Sequence, residues 1–255
     1  MSLAPFGRRL CPVVAHSRYG SYDVISVLDA EAPPPDPGQF YMLAASERWG
    51  GGADERPFLP RAFSVLRRHD DGRLDFLFED VGPGTRRLCE LRAGDGLWLL
   101  GPLGIGFRAP EDDRRPLLVG GGVGIAPLAI WQDVTDAPAL LGFRDGSHAE
   151  GAVLLRGARI ATDDGSVGFH GLVTELLGEE LDPGSMVYAC GPPPMLEAVR
   201  ALCEAEGVPA QLALESGMAC GYGACFGCVV PTRSGYVRLC VDGPVLDAAE
   251  LELVA

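Results

Sequence analysis

Four cysteines between residues 220 and 240 constrain this chain more than any other feature. Cys220, Cys225 and Cys228 are separated by four and then two residues, and eleven more lie between Cys228 and Cys240. Gly221, Gly223 and Gly227 run among them, with small Ala219 and Ala224 beside them. Such a mixture makes neither a good helix nor a good ladder strand, so it reads as a loop. Three thiolates from one tight loop and a fourth from farther along is a spacing that holds a [2Fe–2S] cluster. Glycines let the backbone wrap closely around inorganic sulfur and point N–H groups at it. Spacing alone leaves two alternatives open. One is a zinc site, which more often draws a close cysteine pair from each of two turns; the other is a set of buried structural thiols.

The remaining composition decides how to read those thiols. With 35 acidic and 21 basic side chains the chain carries a net charge of −14, which argues against nucleic-acid binding, because phosphate contacts need a concentrated basic surface. No apolar run approaches the roughly 18 residues of a membrane span, and residues 1–14 lack the apolar core of a signal peptide. These features predict a soluble, cytoplasmic protein. In a reducing compartment an even cysteine count does not imply disulfides, and a cluster of thiols points to metal or redox chemistry. The isolated Cys11, Cys89 and Cys203 read as packing residues.

The organisation changes along the chain. Residues 13–108 alternate apolar and polar side chains in short runs, as in Val24, Ser26 and Leu28 against Asp23, Ile25 and Val27, which predicts an antiparallel β-barrel or sandwich. Ser46 to Pro60, rich in glycine and proline, reads as a long loop of unassigned function. Arg108 to Pro116 is charged and bounded by prolines, a candidate domain boundary. Beyond it, strand runs at Leu117–Val119, Ala139–Phe143 and Met186–Ala189 alternate with helical segments at Ala126–Val134, Gly171–Leu177 and Pro194–Glu206, the pattern of an α/β domain with a parallel sheet. The expected division is a β-barrel over 1–110, an α/β domain over 111–212 and an iron–sulfur loop region over 213–255.

Several segments suit nucleotide cofactors. In Val119-Gly120-Gly121-Gly122-Val123-Gly124-Ile125-Ala126-Pro127 the glycines stand between a strand and a helix, where a pyrophosphate can approach the backbone and a helix N-terminus. The turn lacks the G-x-G-x-x-G register, and packing alone is its competing explanation. Arg61-Ala62-Phe63-Ser64 opens a strand, and Gly82-Pro83-Gly84-Thr85 opens a short helix. Arginine and a helix start suit a diphosphate, an aromatic can face a flavin ring, and a serine hydroxyl can bond its edge. Cys190-Gly191-Pro192 ends a later strand, at the edge where wound sheets bind ligands.

In this order, these motifs make the chain similar to the ferredoxin–NADP reductase superfamily, in which a flavin-binding barrel with an Arg-x-aromatic-Ser/Thr motif precedes a nicotinamide domain ending in Cys-Gly-Pro. Within it, the chain resembles the electron-transfer subunits of NAD-dependent (type B) dihydroorotate dehydrogenase. The most specific matches are Glu215-Ser216 with Met218-Ala219-Cys220-Gly221, and Cys240-Val241-Asp242-Gly243-Pro244-Val245. The resemblance implies FAD held by Arg61, Ala62, Phe63 and Ser64, by Leu77, Phe78 and Glu79, and by Gly84 and Thr85. It implies NAD at Gly121, Gly122, Gly124, Pro127, Gly191 and Pro192, with Cys190 near the nicotinamide. Its iron ligands map onto Cys220, Cys225, Cys228 and Cys240. Ala62 and Phe63 stand where the family commonly has proline and an aliphatic residue, Glu79 where a basic residue is frequent, and Gly217 where arginine is frequent.

A flavin is the natural converter between a two-electron nicotinamide and a one-electron cluster, and such exchange needs no protein acid–base pair. His16, His69, His148 and His170 sit in no catalytic motif and read as surface residues. The length leaves no domain for an organic substrate. The resemblance therefore implies an FMN-containing dihydroorotate dehydrogenase subunit as partner, in a heterotetramer of two of each, with the cluster loop near the interface. Other readings are an NAD(P)H-dependent iron–sulfur flavoprotein reductase subunit for a ferredoxin, sulfide, hydrogen or oxygenase system, and a zinc-stabilised interaction module. For the dinucleotide, Arg144 would suit a 2′-phosphate, whereas Asp145, Asp163 and Asp164 favour the free ribose hydroxyl of NAD.

Overall fold

The structure, a computed structural model, describes residues 7–50, 57–110 and 113–252. The centre of the predicted 46–60 loop and residues 111–112 of the predicted boundary lie outside them. Six strands form a closed antiparallel barrel in the order β1-β2-β5-β4-β3-β6. They are β1 (Arg9–Tyr19), β2 (Tyr22–Leu28), β3 (Phe40–Ala45), β4 (Arg61–Arg68), β5 (Arg73–Glu79) and β6 (Gly96–Leu103), with helix α1 (Pro83–Cys89) between the last two. Closure leaves no edge strand, and Val13, Ile25, Val27, Tyr41, Val65 and Phe76 fill the interior.

The second unit is wound around β7 (Arg115–Gly121), α2 (Ile125–Thr135), β8 (Ala139–Phe143), α3 (Gly146–Ala149), β9 (Arg159–Thr162), β10 (Phe169–His170), α4 (Val173–Glu180), β11 (Ser185–Cys190), α5 (Pro193–Glu206) and β12 (Ala210–Ala213). The C-terminal region adds a hairpin, β13 (Val229–Thr232) and β14 (Gly235–Arg238), then α6 (Leu239–Asp242) and β15 (Val245–Asp247). The large sheet has the order β10-β9-β8-β7-β11-β12-β15. Its strands are parallel except β15, which pairs antiparallel with β12. The chain thus returns from the cysteine loop to the sheet edge. Among the described residues no helix is long and apolar enough to cross a membrane.

Helix α2 is the keystone. Every residue from Ile125 to Gln132 is buried, because one side packs on the sheet and the other on β4 of the barrel. Phe107, Trp131 and Tyr188 meet at this seam with ring centroids 5.3–5.9 Å apart, each pair contributing about 0.5–1.5 kcal/mol beyond its buried area. The seam also changes β2. Alternation predicts one wet face, yet Tyr22 through Val27 are all buried. Ile25 and Val27 enter the barrel core, while Tyr22 and Val24 pack against the second unit.

Candidate functional site

The sheet reverses direction of growth at β7: β8 lies on one side of it and β11 on the other. A crevice opens outside the carboxyl ends of strands at such a switch point. Here Gly120 to Gly124 leaves β7, and Gly191-Pro192 leaves β11. The two turns nearly touch, since a Cβ on Gly124 would lie 2.3 Å from the Cys190 carbonyl oxygen.

The resulting cleft, about 670 Å3, is lined by Gly121, Gly122, Gly191 and Pro192, with Arg144, His148 and Asp163 toward β8 and β9. Tyr22 and Glu79 of the barrel close its near side. Gly124 and Pro127, predicted as contacts, lie outside this lining. Gly124 serves the turn's close approach to β11, and Pro127 is buried in the first turn of α2. Cys190 also lies behind the wall: it is 1% exposed, and burial pushes its thiol well above the ordinary value.

A smaller cavity of about 260 Å3 sits on the barrel side, lined by Ala62, Phe63, Ser64, Leu77, Phe78, Glu79 and Thr85. These are seven of the nine residues predicted for FAD. The other two stand together at the start of α1, where a Cβ on Gly84 would come 2.7 Å from Arg61 Nε. The Arg61 guanidinium donates to the Leu59 carbonyl at 2.7 Å and lies over Trp49. Thr85 Oγ1 accepts from the Val81 and Gly82 N–H groups, so this hydroxyl shapes the turn.

Val123, Glu79 and Glu215 line both cavities. Glu215 is the main residue that sequence reasoning missed. It lies well beyond the glycine turn in sequence, and its only signal was membership of a C-terminal motif. The side chain is open to cleft water on one side yet enclosed by protein elsewhere, and that burial raises its carboxyl above the ordinary value. A fold that raises a carboxyl favours its protonated form, so above the folded value the charge costs stability. Glu215→Gln should therefore melt about 1 °C higher than the wild type at neutral pH, because solvent around the exposed side chain screens the charge, with the gap closing at about pH 3, where both are uncharged. Thermal melts at the two pH values check this; a lower melting temperature at neutral pH would contradict it.

His148 corrects another expectation. It is 8% exposed, not a surface residue, because the β1–β2 turn covers it: the Ser21 N–H donates to the Ser147 carbonyl at 3.2 Å. His148 Nδ1 donates to Asp145 Oδ1 at 2.7 Å, leaving Nε2 to accept from Arg144 Nε at 2.9 Å. Arg144 also pairs with Glu79.

The cysteine loop packs against the barrel. Met218 lines the barrel-side cavity, and Cys220 follows two residues later, at most about 7 Å along the chain. Gly221 and Gly223 have φ of +82° and +85°, and a Cβ on Gly221 would come 2.5 Å from Met42 Cγ of β3. Phe226 is also left-handed, at φ 59°, with the Arg238 guanidinium over its ring.

Backbone N–H groups point at sulfur: Gly223 to Cys240 at 3.1 Å, Gly227 to Cys225 at 3.4 Å and Cys240 to Cys228 at 3.5 Å. The thiols influence one another's ionisation, Cys225 that of Cys220, and both Cys228 and Cys220 that of Cys240. Among the described residues no three metal-ligating side chains converge on a single-ion site. Backbone N–H groups aimed at sulfur, with three thiols from one glycine-rich loop and a fourth from α6, make a donor set that fits a [2Fe–2S] cluster. Burial works to raise the Cys220 thiol, but N–H groups of Tyr222 and Cys225, the Cys225 thiol and the Ala224 N–H bring it down to about 6. Burial and then the adjacent Cys228 push Cys240 up to about 12. Neighbouring thiols resist joint ionisation unless a cation lies between them.

The fold is that of the ferredoxin–NADP reductases. A chain from the structure of an NADH-dependent reduced ferredoxin–NADP oxidoreductase superposes with a TM-score of 0.79 at 24% identity, covering 97% of this chain and 91% of that one. A Neisseria gonorrhoeae ferredoxin NADP+ reductase, solved with bound FAD and NADP, gives 0.65 at 17% identity, over 78% and 92%. Residues 215–252 match the iron–sulfur cluster binding domain of dihydroorotate dehydrogenase B. The dihydroorotate dehydrogenase B (NAD(+)) electron transfer subunit of Caldanaerobacter subterraneus subsp. tengcongensis is 36% identical, covering 94% of this chain and 96% of its own. The subunit of the same name from Clostridium acetobutylicum is 37% identical, over 85% and 86%. The chain belongs to the family of electron transfer subunits of dihydroorotate dehydrogenase B.

Proposed function

We propose that this chain is the oxidoreductase subunit that carries electrons from a dihydroorotate-oxidising FMN partner to NAD+, in pyrimidine biosynthesis. One observation carries the reading: the barrel-side cavity shares Val123, Glu79 and Glu215 with the interdomain cleft as lining residues, and reaches the cysteine loop at Met218. A flavin held there would supply what joins the two carriers, hydride exchange with nicotinamide and single-electron exchange with a [2Fe–2S] cluster.

In this proposal Ala62 to Ser64 and Leu77 to Glu79 hold the flavin of FAD, while Arg61, Gly84 and Thr85 take its diphosphate at the start of α1. Gly121 and Gly122 offer the NAD pyrophosphate a close backbone, and Gly191 and Pro192 border the nicotinamide end. Gly124, Pro127 and Cys190 act from behind the cleft wall by fixing its shape. Glu215 lines the cleft and the barrel-side cavity alike, between the flavin and nicotinamide sites. Cys220, Cys225, Cys228 and Cys240 would hold the [2Fe–2S] cluster. The division into residues 1–110, 111–212 and 213–255 follows these three cofactors, with β15 tying the third segment to the second.

The proposed partner docks over the cysteine loop, where Cys225 is exposed and Tyr222, Phe226 and Tyr236 are 57%, 63% and 80% exposed. We place the complex in the cytoplasm as a heterotetramer of two of each subunit; eight free cysteines suit a reducing compartment. Co-expression with the FMN dehydrogenase of the same organism tests the assignment. The expected result is a complex with flavin and iron–sulfur absorbance that reduces NAD+ with dihydroorotate. Full dihydroorotate:NAD+ activity from the isolated chain, or a colourless zinc protein, would overturn it.

A further inference from the structure

We infer that Glu79, a barrel residue, selects against 2′-phosphorylated dinucleotides in the cleft by neutralising Arg144. The inference rests on the proposed reading of the cleft as a dinucleotide site. In wound sheets the strand after the glycine turn ends, about 20 residues on, with an acid that takes the ribose 2′-hydroxyl or an arginine that accommodates a 2′-phosphate. Here that strand is β8, and Arg144-Asp145 follows it. Arg144 is a cation in the position to accept a phosphate, and its side chain is 60% exposed.

The structure engages it from three directions. Glu79 pairs with its Nη2, His148 Nε2 accepts from its Nε at 2.9 Å, and Asp145 Oδ2 lies 4.0 Å from its Nε. One guanidinium thus faces two carboxylates, and Asp163 adds a third to the same cleft. A phosphate dianion arriving here meets carboxylates on both sides of the arginine and competes with Glu79 for it, whereas an unmodified ribose meets only hydrogen-bond acceptors. Asp145 Oδ1 is held in place, capping α3 and accepting from His148, while its Oδ2 faces Arg144 beside Glu79. Glu79 comes from the other unit, so dinucleotide choice depends on how the barrel docks.

Calorimetric binding of ADP-ribose and 2′-phospho-ADP-ribose to the intact complex tests this. The wild type should bind ADP-ribose and discriminate against the phosphorylated fragment. Glu79→Gln should narrow that discrimination about tenfold, the scale of one freed charge-assisted contact, and adding Arg144→Ala should abolish the gain. Arg144→Ala alone should change the ratio of affinities less than about twofold, because the native cation is already neutralised. Flavin absorbance reports whether each variant retains FAD. Failure of the wild type to bind ADP-ribose would remove the cleft reading and the inference together. Binding of ADP-ribose with an unchanged ratio in Glu79→Gln, a gain that survives Arg144→Ala, or a large loss in Arg144→Ala alone would overturn the inference and leave the cleft reading standing.

Discussion

Cys228→Ser should abolish the iron–sulfur absorbance and cut electron delivery from the partner by about 100-fold or more, the upper range for lesions at a metal site. Cys228 is 2% exposed and adjacent to Cys240, also 2% exposed. Serine there is a harder, poorly ionised ligand that iron–sulfur chemistry does not favour. The loss should be selective. Cys228 lines neither the barrel-side cavity nor the interdomain cleft, so NADH should still bleach the flavin within about threefold of the wild-type rate. Stopped-flow flavin reduction, iron content and dihydroorotate-driven turnover separate the two halves. Cys203→Ala, at a buried thiol on the inner face of α5, should keep its iron. Normal iron in Cys228→Ser, or loss of both half-reactions together, would contradict the assignment of this cysteine.

Gly124→Ala should damage the other half. Its Cβ would stand 2.3 Å from the Cys190 carbonyl oxygen, 2.5 Å from that carbon and 2.6 Å from the Gly191 nitrogen. All three are backbone atoms, so no side-chain rotation relieves the clash and the two turns must separate. Overpacking of this kind costs about 3 kcal/mol, which lowers the melting temperature roughly 6–12 °C in a chain of this size. The dinucleotide should bind at least about tenfold more weakly, because its two walls move apart. Gly178→Ala is the matched control: on α4 the added methyl meets nothing within 4 Å and should stabilise by about 0.5–1 kcal/mol. A Gly124→Ala protein as stable as the wild type would show that the turns are not locked together as described.

Much of the fold was readable because it rests on local chemistry. Period-two runs and glycine–proline punctuation marked the first unit as a β-barrel or sandwich, and alternating strands and helices marked the second as a wound sheet. The outer strands β9, β10, β12 and β15 carried no pattern strong enough to read. Helix α2 falls within two residues of its predicted span. What escaped were the positions whose environment is built by another element. Alternation in β2 implied a wet face, and the second unit covers it. His148 carried no motif, and the β1–β2 turn buries it. Glu215 belongs by sequence to the cysteine region, yet it lines both cavities.

The sequence by itself determined the cysteine donor set, since thiolate spacing within one loop is a local property that no distant contact alters. It also determined the glycine turn and the strand patterns, for the same reason. Only the tertiary structure decided how these parts act together: α2 buried on both sides, Cys190 sealed behind the cleft, Arg144 neutralised by Glu79, and Glu215 set between two cavities. Those features arise from burial and charge pairing between segments far apart in the chain, and neither quantity exists until the barrel and the sheet have docked.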